Sequence, residues 1–184
     1  MQRVLVTGAT GFIGKHTLPL LLSKGFEVHA VSSKPIQSDN GNYIWHQADL
    51  LKSDQITNLV AQVSPSHLLH FAWYAEPKKY WASPSNLQWL QSGLSLVEAF
   101  KNNGGKRALF AGTCAEYEWK FSKYLENKSP LNPSTLYGVC KHSLQTILNA
   151  YSRETQLSST WGRIFFLFGP GEHPDRLVSF VIRS

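Results

Sequence analysis

The chain has 184 residues, 42% of them hydrophobic and 16% charged, the composition of one ordinary globular domain long enough to bury a core. Its formal net charge of +6 comes from scattered lysines and arginines whose densest clusters are Lys78-Lys79 and Lys106-Arg107, so no nucleic-acid partner is expected, whereas a small anionic ligand suits it. No stretch approaches the roughly 20 apolar residues of a membrane span, no secretory signal opens the chain, and Cys114 and Cys140 have neither disulfide nor metal-ligand spacing; the expectations are a cytoplasmic location, no membrane partner, no metal and two free thiols.

Arg3-Val4-Leu5-Val6-Thr7 reads as a short buried parallel strand, and a glycine cluster stops it before helical spacing resumes over residues 13–24. A second strand is expected at 27–31. Beyond a turn around Asp39, Asn40 and Gly41 come a short strand at 43–46 and a helix at 53–63 with Ser53 as its N-cap. A buried strand follows at 67–72. The apolar period Leu87, Leu90, Leu94, Val97 predicts a helix over 86–102, closed by Asn103-Gly104-Gly105, and then a strand at 107–111. A helix at 134–153 and a strand at 159–165 complete the series. Alternation at this rhythm predicts an α/β domain, a doubly wound parallel sheet with helices on both faces.

The glycine cluster, Thr7-Gly8-Ala9-Thr10-Gly11-Phe12-Ile13-Gly14, has glycines at i, i+3 and i+6 between a strand and a helix. The first permits a tight turn, the second lets backbone N–H groups approach a pyrophosphate, and the third lets the helix pack on the sheet, with the helix N-terminus favouring negative charge. Gly8, Thr10, Gly11, Phe12, Ile13 and Gly14 are therefore candidates for holding a dinucleotide. Sites for NAD usually end the second strand with an acid that bonds the ribose 2′-hydroxyl. Here that end is Val31-Ser32-Ser33-Lys34, with hydroxyls and a cation, so NADP(H) is preferred and NAD stays possible. Asp49-Leu50 after the third strand could receive the adenine amino group, or Asp49 could cap the following turn. His70-Phe71-Ala72-Trp73 ends the fourth strand at the carboxyl edge where ligands bind in open α/β sheets; Phe71, Ala72 and Trp73 join the cofactor candidates, and His70 reads as a satisfied core histidine.

Tyr137 and Lys141 stand four residues apart and share one face of a helix. A tyrosine normally titrates near pH ~10, and a nearby ammonium is expected to stabilise its phenolate and bring it toward the working range. Lysine can also bond a nicotinamide ribose. Thr113, after the fifth strand, can donate to a substrate carbonyl or alkoxide, or bond its own backbone as a strand-end threonine. Cys114 and Cys140 flank these residues without a partner base and read as small buried side chains.

With these residues in view, the chain resembles the extended short-chain dehydrogenase/reductase family, and within it the nucleotide-sugar epimerases, dehydratases and ketoreductases. The resemblance rests on the glycine turn through Gly14, Ala48-Asp49-Leu50, His70-Phe71-Ala72, the segments 112–117 and 133–141, and the run Arg163 to Gly171. It implies a Rossmann fold, Thr113, Tyr137 and Lys141 as the catalytic hydroxyl residue, tyrosine and lysine, Tyr137 and Lys141 also against the cofactor, and Phe165 near the nicotinamide. Relatives that dehydrate sugars carry Asp-Glu directly after the threonine, where this chain has Cys114-Ala115, which argues against a 4,6-dehydratase. Epimerases retain NAD through the cycle and reductases exchange NADPH; the Ser32-Ser33-Lys34 end favours the second. The expectation is a 4-ketoreductase of a deoxysugar nucleotide, the alternatives an epimerase with retained NAD and a dinucleotide-binding module without turnover. Phe166 departs from the asparagine that many relatives place at the substrate's phosphates.

Relatives continue past the glycine-proline motif into a smaller substrate domain. The resemblance thus divides the chain into an NAD(P)-binding domain at 1–169 and the start of a truncated, largely absent C-terminal substrate-binding region at 170–184, with a helix at 176–183. Tyr74 to Trp81 is either a substrate-side loop or a surface packed on that region. A homodimer through the helices at 86–102 and 134–153 is the expected assembly.

Overall fold

Six short segments pair side by side as parallel strands in the computed structural model, which describes residues 1–36 and 42–184. The turn expected at Asp39, Asn40 and Gly41 lies outside the described residues. The strands are β1 (Arg3–Thr7), β2 (Glu27–Ser32), β3 (Ile44–Gln47), β4 (His67–His70), β5 (Arg107–Thr113) and β6 (Ser158–Ile164). Between them run α1 (Phe12–Ser23), α2 (Ser53–Val63), α3 (Ser85–Asn102) and α4 (Leu136–Thr155), with a 3₁₀ turn at Cys114–Glu116 and a short α5 (Leu177–Arg183) after β6.

The sheet order is β3-β2-β1-β4-β5-β6. The chain winds outward in one direction through β2 and β3, returns beside β1 with β4, and winds the other way, so the direction switches between β1 and β4. Alternation along β1 sends successive side chains to opposite faces. Val4 and Val6 pack with Val28, Ala30 and the α1 residue Leu18. Leu5 packs on the other face with Ile56, Leu59 and Val60 of α2, Leu96 and Phe100 of α3, and Leu144 and Leu148 of α4. Burial on both faces explains why Val4, Leu5 and Val6 of β1 are apolar in succession rather than alternating with polar residues.

Several element ends differ from the sequence expectation, each for a local reason. Lys52, not Ser53, occupies the N-cap of α2, with extended backbone and no side-chain cap, and Ser53 is the first helical residue. β4 stops at His70 instead of 72 because its partner β1 turns away at Gly8; the last contacts are the Phe71 N–H to the Thr7 carbonyl at 3.2 Å and the Ala72 N–H to the Thr7 hydroxyl at 3.4 Å. β5 continues to Thr113 because β6 pairs with it through Thr113 and Ile164. α4 begins later than expected, with Thr135 as N-cap accepting from the Gly138 N–H at 3.1 Å, and it ends where Gln156 turns left-handed.

Phe100 is fully buried at the centre of the larger core, with its ring edge against Gly105. Phe100→Ala is expected to cost about 3–5 kcal/mol, read as a lower urea midpoint with an unchanged denaturant slope.

Candidate active site

The glycine turn is built around two close approaches. Gly8 has φ +66°, a left-handed conformation, and a Cβ there would meet the Ala72 nitrogen at 2.7 Å, so the turn is wedged against the end of β4. A Cβ on Gly14 would meet the Gly8 carbonyl oxygen at 2.2 Å, which is the close helix-to-turn packing. Gly11 differs. Its φ of −75° and ψ of 173° suit any residue, and the nearest atom to a Cβ would be the Gly8 oxygen at 3.2 Å, tight but yielding. A glycine at that position suits close approach by a group from outside the chain. No side chain among the described residues caps the N-terminus of α1, which leaves its first N–H groups for such a group. The turn thus fits a pyrophosphate, with Thr10 and Gly11 exposed and Phe12 and Ile13 half-buried beside it.

At the end of β2, Ser32 is buried and its hydroxyl accepts the Lys34 N–H at 3.1 Å, while Ser33 and Lys34 are exposed. Asp49 accepts the Leu51 N–H at 3.0 Å, so it does cap the following turn. The Leu50 side chain belongs to the core, and its carbonyl accepts the Ser92 hydroxyl at 2.6 Å.

Thr113, Tyr137 and Lys141 line one cleft of about 210 Å³ together with Ile13, Phe71, Trp73 and Phe165. Thr113 is the last residue of β5 rather than part of the loop after it. The Thr113 hydroxyl accepts the Ala115 N–H at 3.2 Å and lines the cleft with the Tyr137 phenol. Lys141 is 2% exposed; its ammonium nitrogen donates to the Ala111 carbonyl at 2.8 Å and lies 3.9 Å from the centre of the Trp73 ring. The expected lowering of Tyr137 by Lys141 is not what the structure shows. Burial pushes the Tyr137 phenol up to about 12, with the Thr113 hydroxyl acting in the opposite sense. Burial also pushes Lys141 down to about 7, with Glu116 acting in the opposite sense. Shared helix position brought the two together, but desolvation penalises the charged form of each.

His70 lies in the core, as expected, but is satisfied at one nitrogen only. Its Nδ1 is hydrogen bonded to the Thr7 hydroxyl at 2.7 Å, and the same hydroxyl accepts the Ala72 N–H at 3.4 Å. Nε2 finds no hydrogen-bond partner among the described residues. Both cysteines are free and buried, and burial raises both thiols.

Three features escaped the sequence reading. Asn86 is fully buried, accepts the Trp73 indole N–H at 2.8 Å and donates to the Tyr80 and Ser83 carbonyls at 2.7 and 2.9 Å. It thereby fixes both Trp73 and the 80–83 segment, whose Tyr80 and Trp81 rings stand edge-on to Tyr137 at 4.8 and 5.8 Å. Glu116 is a buried carboxylate below Thr113. Tyr117, Trp119, Phe121 and Tyr124 form a chain of ring contacts reaching Phe165 and Phe166. Bulky aromatics close together in sequence were the available signal for this row of rings, and the Thr113-Cys114-Ala115-Glu116 spacing of a capping box was the signal for Glu116; nothing local marks Asn86.

Sheet order, crossovers and the glycine turn define a Rossmann-type domain. Its particular lineage is shown by comparison: the NAD dependent epimerase/dehydratase family profile matches residues 4–184, and the chain belongs to that family. A curated relative, the dTDP-6-deoxy-L-talose 4-dehydrogenase (NAD(+)) of Aggregatibacter actinomycetemcomitans, is 24% identical over 100% of this chain and 68% of its own length. UDP-glucuronic acid decarboxylase 1 of Xenopus tropicalis is 27% identical over 100% of this chain and 46% of its own. Among solved structures, the UDP-glucose 4-epimerase of Thermus thermophilus in complex with NAD superposes with a TM-score of 0.84 at 26% identity, over 99% of this chain and 61% of its own. The chain spans between 46% and 68% of the length of these relatives. Among the described residues, no helix is long and apolar enough to cross a membrane.

His70 is held at about 3 by burial and by the Lys141 charge, against 6.5 for a free histidine. The unfolded chain therefore binds a proton there that the folded chain refuses, and the stability tied to neutral His70 is lost as pH falls from about 6.5 toward 3. His70→Asn should flatten the pH dependence of unfolding free energy in that window by about 1.4 kcal/mol per pH unit, measured by urea melts from pH 4 to 6.

Proposed function

We propose that this chain is the dinucleotide-binding part of an NAD(P)-dependent oxidoreductase acting on a nucleotide sugar, reducing a 4-keto group with NADPH. The observation that carries the proposal is the single cleft shared by Thr113, Tyr137 and Lys141 at the carboxyl edge of the sheet, beside the uncapped glycine turn. When bound, the dinucleotide supplies a hydride to the sugar carbon. Tyr137 stays protonated at neutral pH and gives its proton to the sugar oxygen; a neutral phenol is the form a reduction needs. The Thr113 hydroxyl donates to the phenol oxygen and keeps the phenol turned to the sugar, and Lys141, held on Ala111 and Trp73, lines the same cleft.

A nucleotide sugar is supported by the cleft's own lining. Tyr80 and Trp81 offer rings to a sugar, and Arg176 lines both this cleft and an adjoining cavity of about 460 Å³, where Lys78 is a second cation suited to a diphosphate and Glu76 and Asp175 are the carboxylates beside them. The choice of NADPH is supported by Lys34, exposed after a β2 end that has no carboxylate. A second reading, an epimerase with retained NAD, is favoured by the NAD bound to the Thermus thermophilus epimerase. In either reading residues 1–169 hold the dinucleotide and 170–184 begin the substrate-binding region, whose α5 exposes Leu177, Phe180, Val181 and Ile182. A homodimer through α3 and α4 is supported by the exposed Leu87, Val139 and Ile147 and is read by light scattering.

Incubated with NADPH and a panel of 4-keto sugar nucleotides, the gene product should oxidise NADPH, and Tyr137→Phe should slow that about 10²- to 10⁴-fold. NADPH binding without turnover on any substrate would instead identify a non-catalytic module, and interconversion of UDP-sugars without net NADPH loss an epimerase. Calorimetric titration should show tighter binding of NADPH than NADH, with the difference shrinking in Lys34→Ala; equal affinities in the unaltered protein would remove the NADPH preference.

A further inference from the structure

Glu116 is completely buried, yet no step above uses it. An ionised carboxylate is costly to bury unless its oxygens are well bonded. Here they are. Glu116 accepts the Thr113 N–H at 2.7 Å, the Trp161 indole N–H at 2.9 Å and the Arg163 Nε–H at 2.9 Å. Trp161 and Arg163 lie two apart on β6, so both project to the same face, and their partners across the ladder are Phe110 and Gly112. Gly112 carries no side chain where one would collide: a Cβ there would stand 2.1 Å from the Trp161 indole nitrogen and 2.7 Å from Glu116 Oε1.

The consequence falls on Thr113. Glu116 bonds the Thr113 N–H while the Thr113 hydroxyl accepts the Ala115 N–H, a reciprocal capping box closed over four residues. With an acceptor site of that hydroxyl taken by Ala115, its proton is directed away from the turn, toward Tyr137. We propose that Glu116 is a positioning residue: anchored by Arg163 and Trp161, its carboxylate fixes Thr113 so that the threonine hydroxyl donates to the Tyr137 phenol. This rests on the reading of Thr113 and Tyr137 as the proton-transfer pair.

The charge of Glu116 has a separate, measurable effect. It opposes ionisation of Tyr137 and favours the ammonium form of Lys141. The other groups facing this pair are Cys114 below Thr113, Tyr80 with Arg176 beyond it, His70 on β4 against Lys141, and Arg163 on the far side of Glu116.

Two variants separate position from fold. Glu116→Gln keeps an oxygen for Thr113 and Trp161 but removes the charge; Glu116→Ala removes both. In tyrosine-labelled NMR titrations of this chain, with the signal assigned through Tyr137→Phe, the Tyr137 midpoint in Glu116→Gln should fall below the unaltered value. In turnover assays on the gene product, Glu116→Ala should lose about 10- to 100-fold in kcat with KM within about threefold, and Glu116→Gln should restore kcat to within about threefold of the unaltered enzyme. An unmoved Tyr137 midpoint, or a Glu116→Ala loss that merely tracks the folded fraction, would overturn the proposal. If the unaltered protein turns over no nucleotide sugar, the functional reading fails, while the NMR titration still decides the role of Glu116.

Discussion

The parallel pairing of β1 with β4 is the contact on which the site depends. Residues Val4 to Thr7 run beside His67 to His70, and the buried bond between the Thr7 hydroxyl and His70 closes the pair at its carboxyl end. Because the chain leaves these two strands in opposite directions across the sheet, α1 covers one face while α2, α3 and α4 cover the other. A crevice opens above the junction, with the glycine turn on one lip and Phe71 to Trp73 on the other. Everything chemically interesting in the molecule is strung along that edge.

Burial, more than proximity, sets the protonation of the central pair. Spacing on α4 puts Tyr137 and Lys141 on one face, but an ammonium reduces a neighbour's pKa only while it stays charged. Lys141 has a carbonyl and an indole face as its partners and, among the described residues, no carboxylate in bonding distance, so its charge is poorly compensated. The nearest acid, Glu116, has its oxygens occupied by Thr113, Trp161 and Arg163. The protein thus keeps a neutral phenol beside a lysine whose charge is finely balanced, an arrangement poised for proton donation and sensitive to any charge that enters the cleft.

Much of this was legible in the sequence because it depends on local pattern. The apolar runs gave all six strands to within two residues at most ends, and the glycine spacing marked the turn whose two tight contacts the structure displays. Thr113, Tyr137 and Lys141 could be singled out from spacing and resemblance, and they share one cleft. What could not be read is what depends on distant partners. Glu116 looks like a surface acid beside Tyr117 until β6, some 45 residues later, supplies Trp161 and Arg163. Asn86 looks like an ordinary helix-start residue until it is seen joining Trp73 to the Tyr80 and Ser83 carbonyls. The sign of the Tyr137 shift was misjudged because sequence reveals neighbours on a helix but not the absence of water around them. Residue preference names Ser53 as the cap of its helix, whereas the backbone places Lys52 there and makes Ser53 the first helical residue; the helix expected from Ser134 is capped by Thr135.

The wedge of Gly8 against Ala72 also bears on the order in which the molecule can assemble. The turn most suited to a pyrophosphate sits within the first dozen residues, yet the backbone that braces it comes from β4, with Thr7 and His70 separated by 63 positions. At synthesis rates of roughly 5–20 residues per second, β1 waits several seconds for that brace. Loop closure over such a distance is entropically costly and slow compared with forming α1 alone. A nascent chain therefore has the glycine motif long before it has the cradle, and a nucleotide can reward only chains in which β1 and β4 have already met.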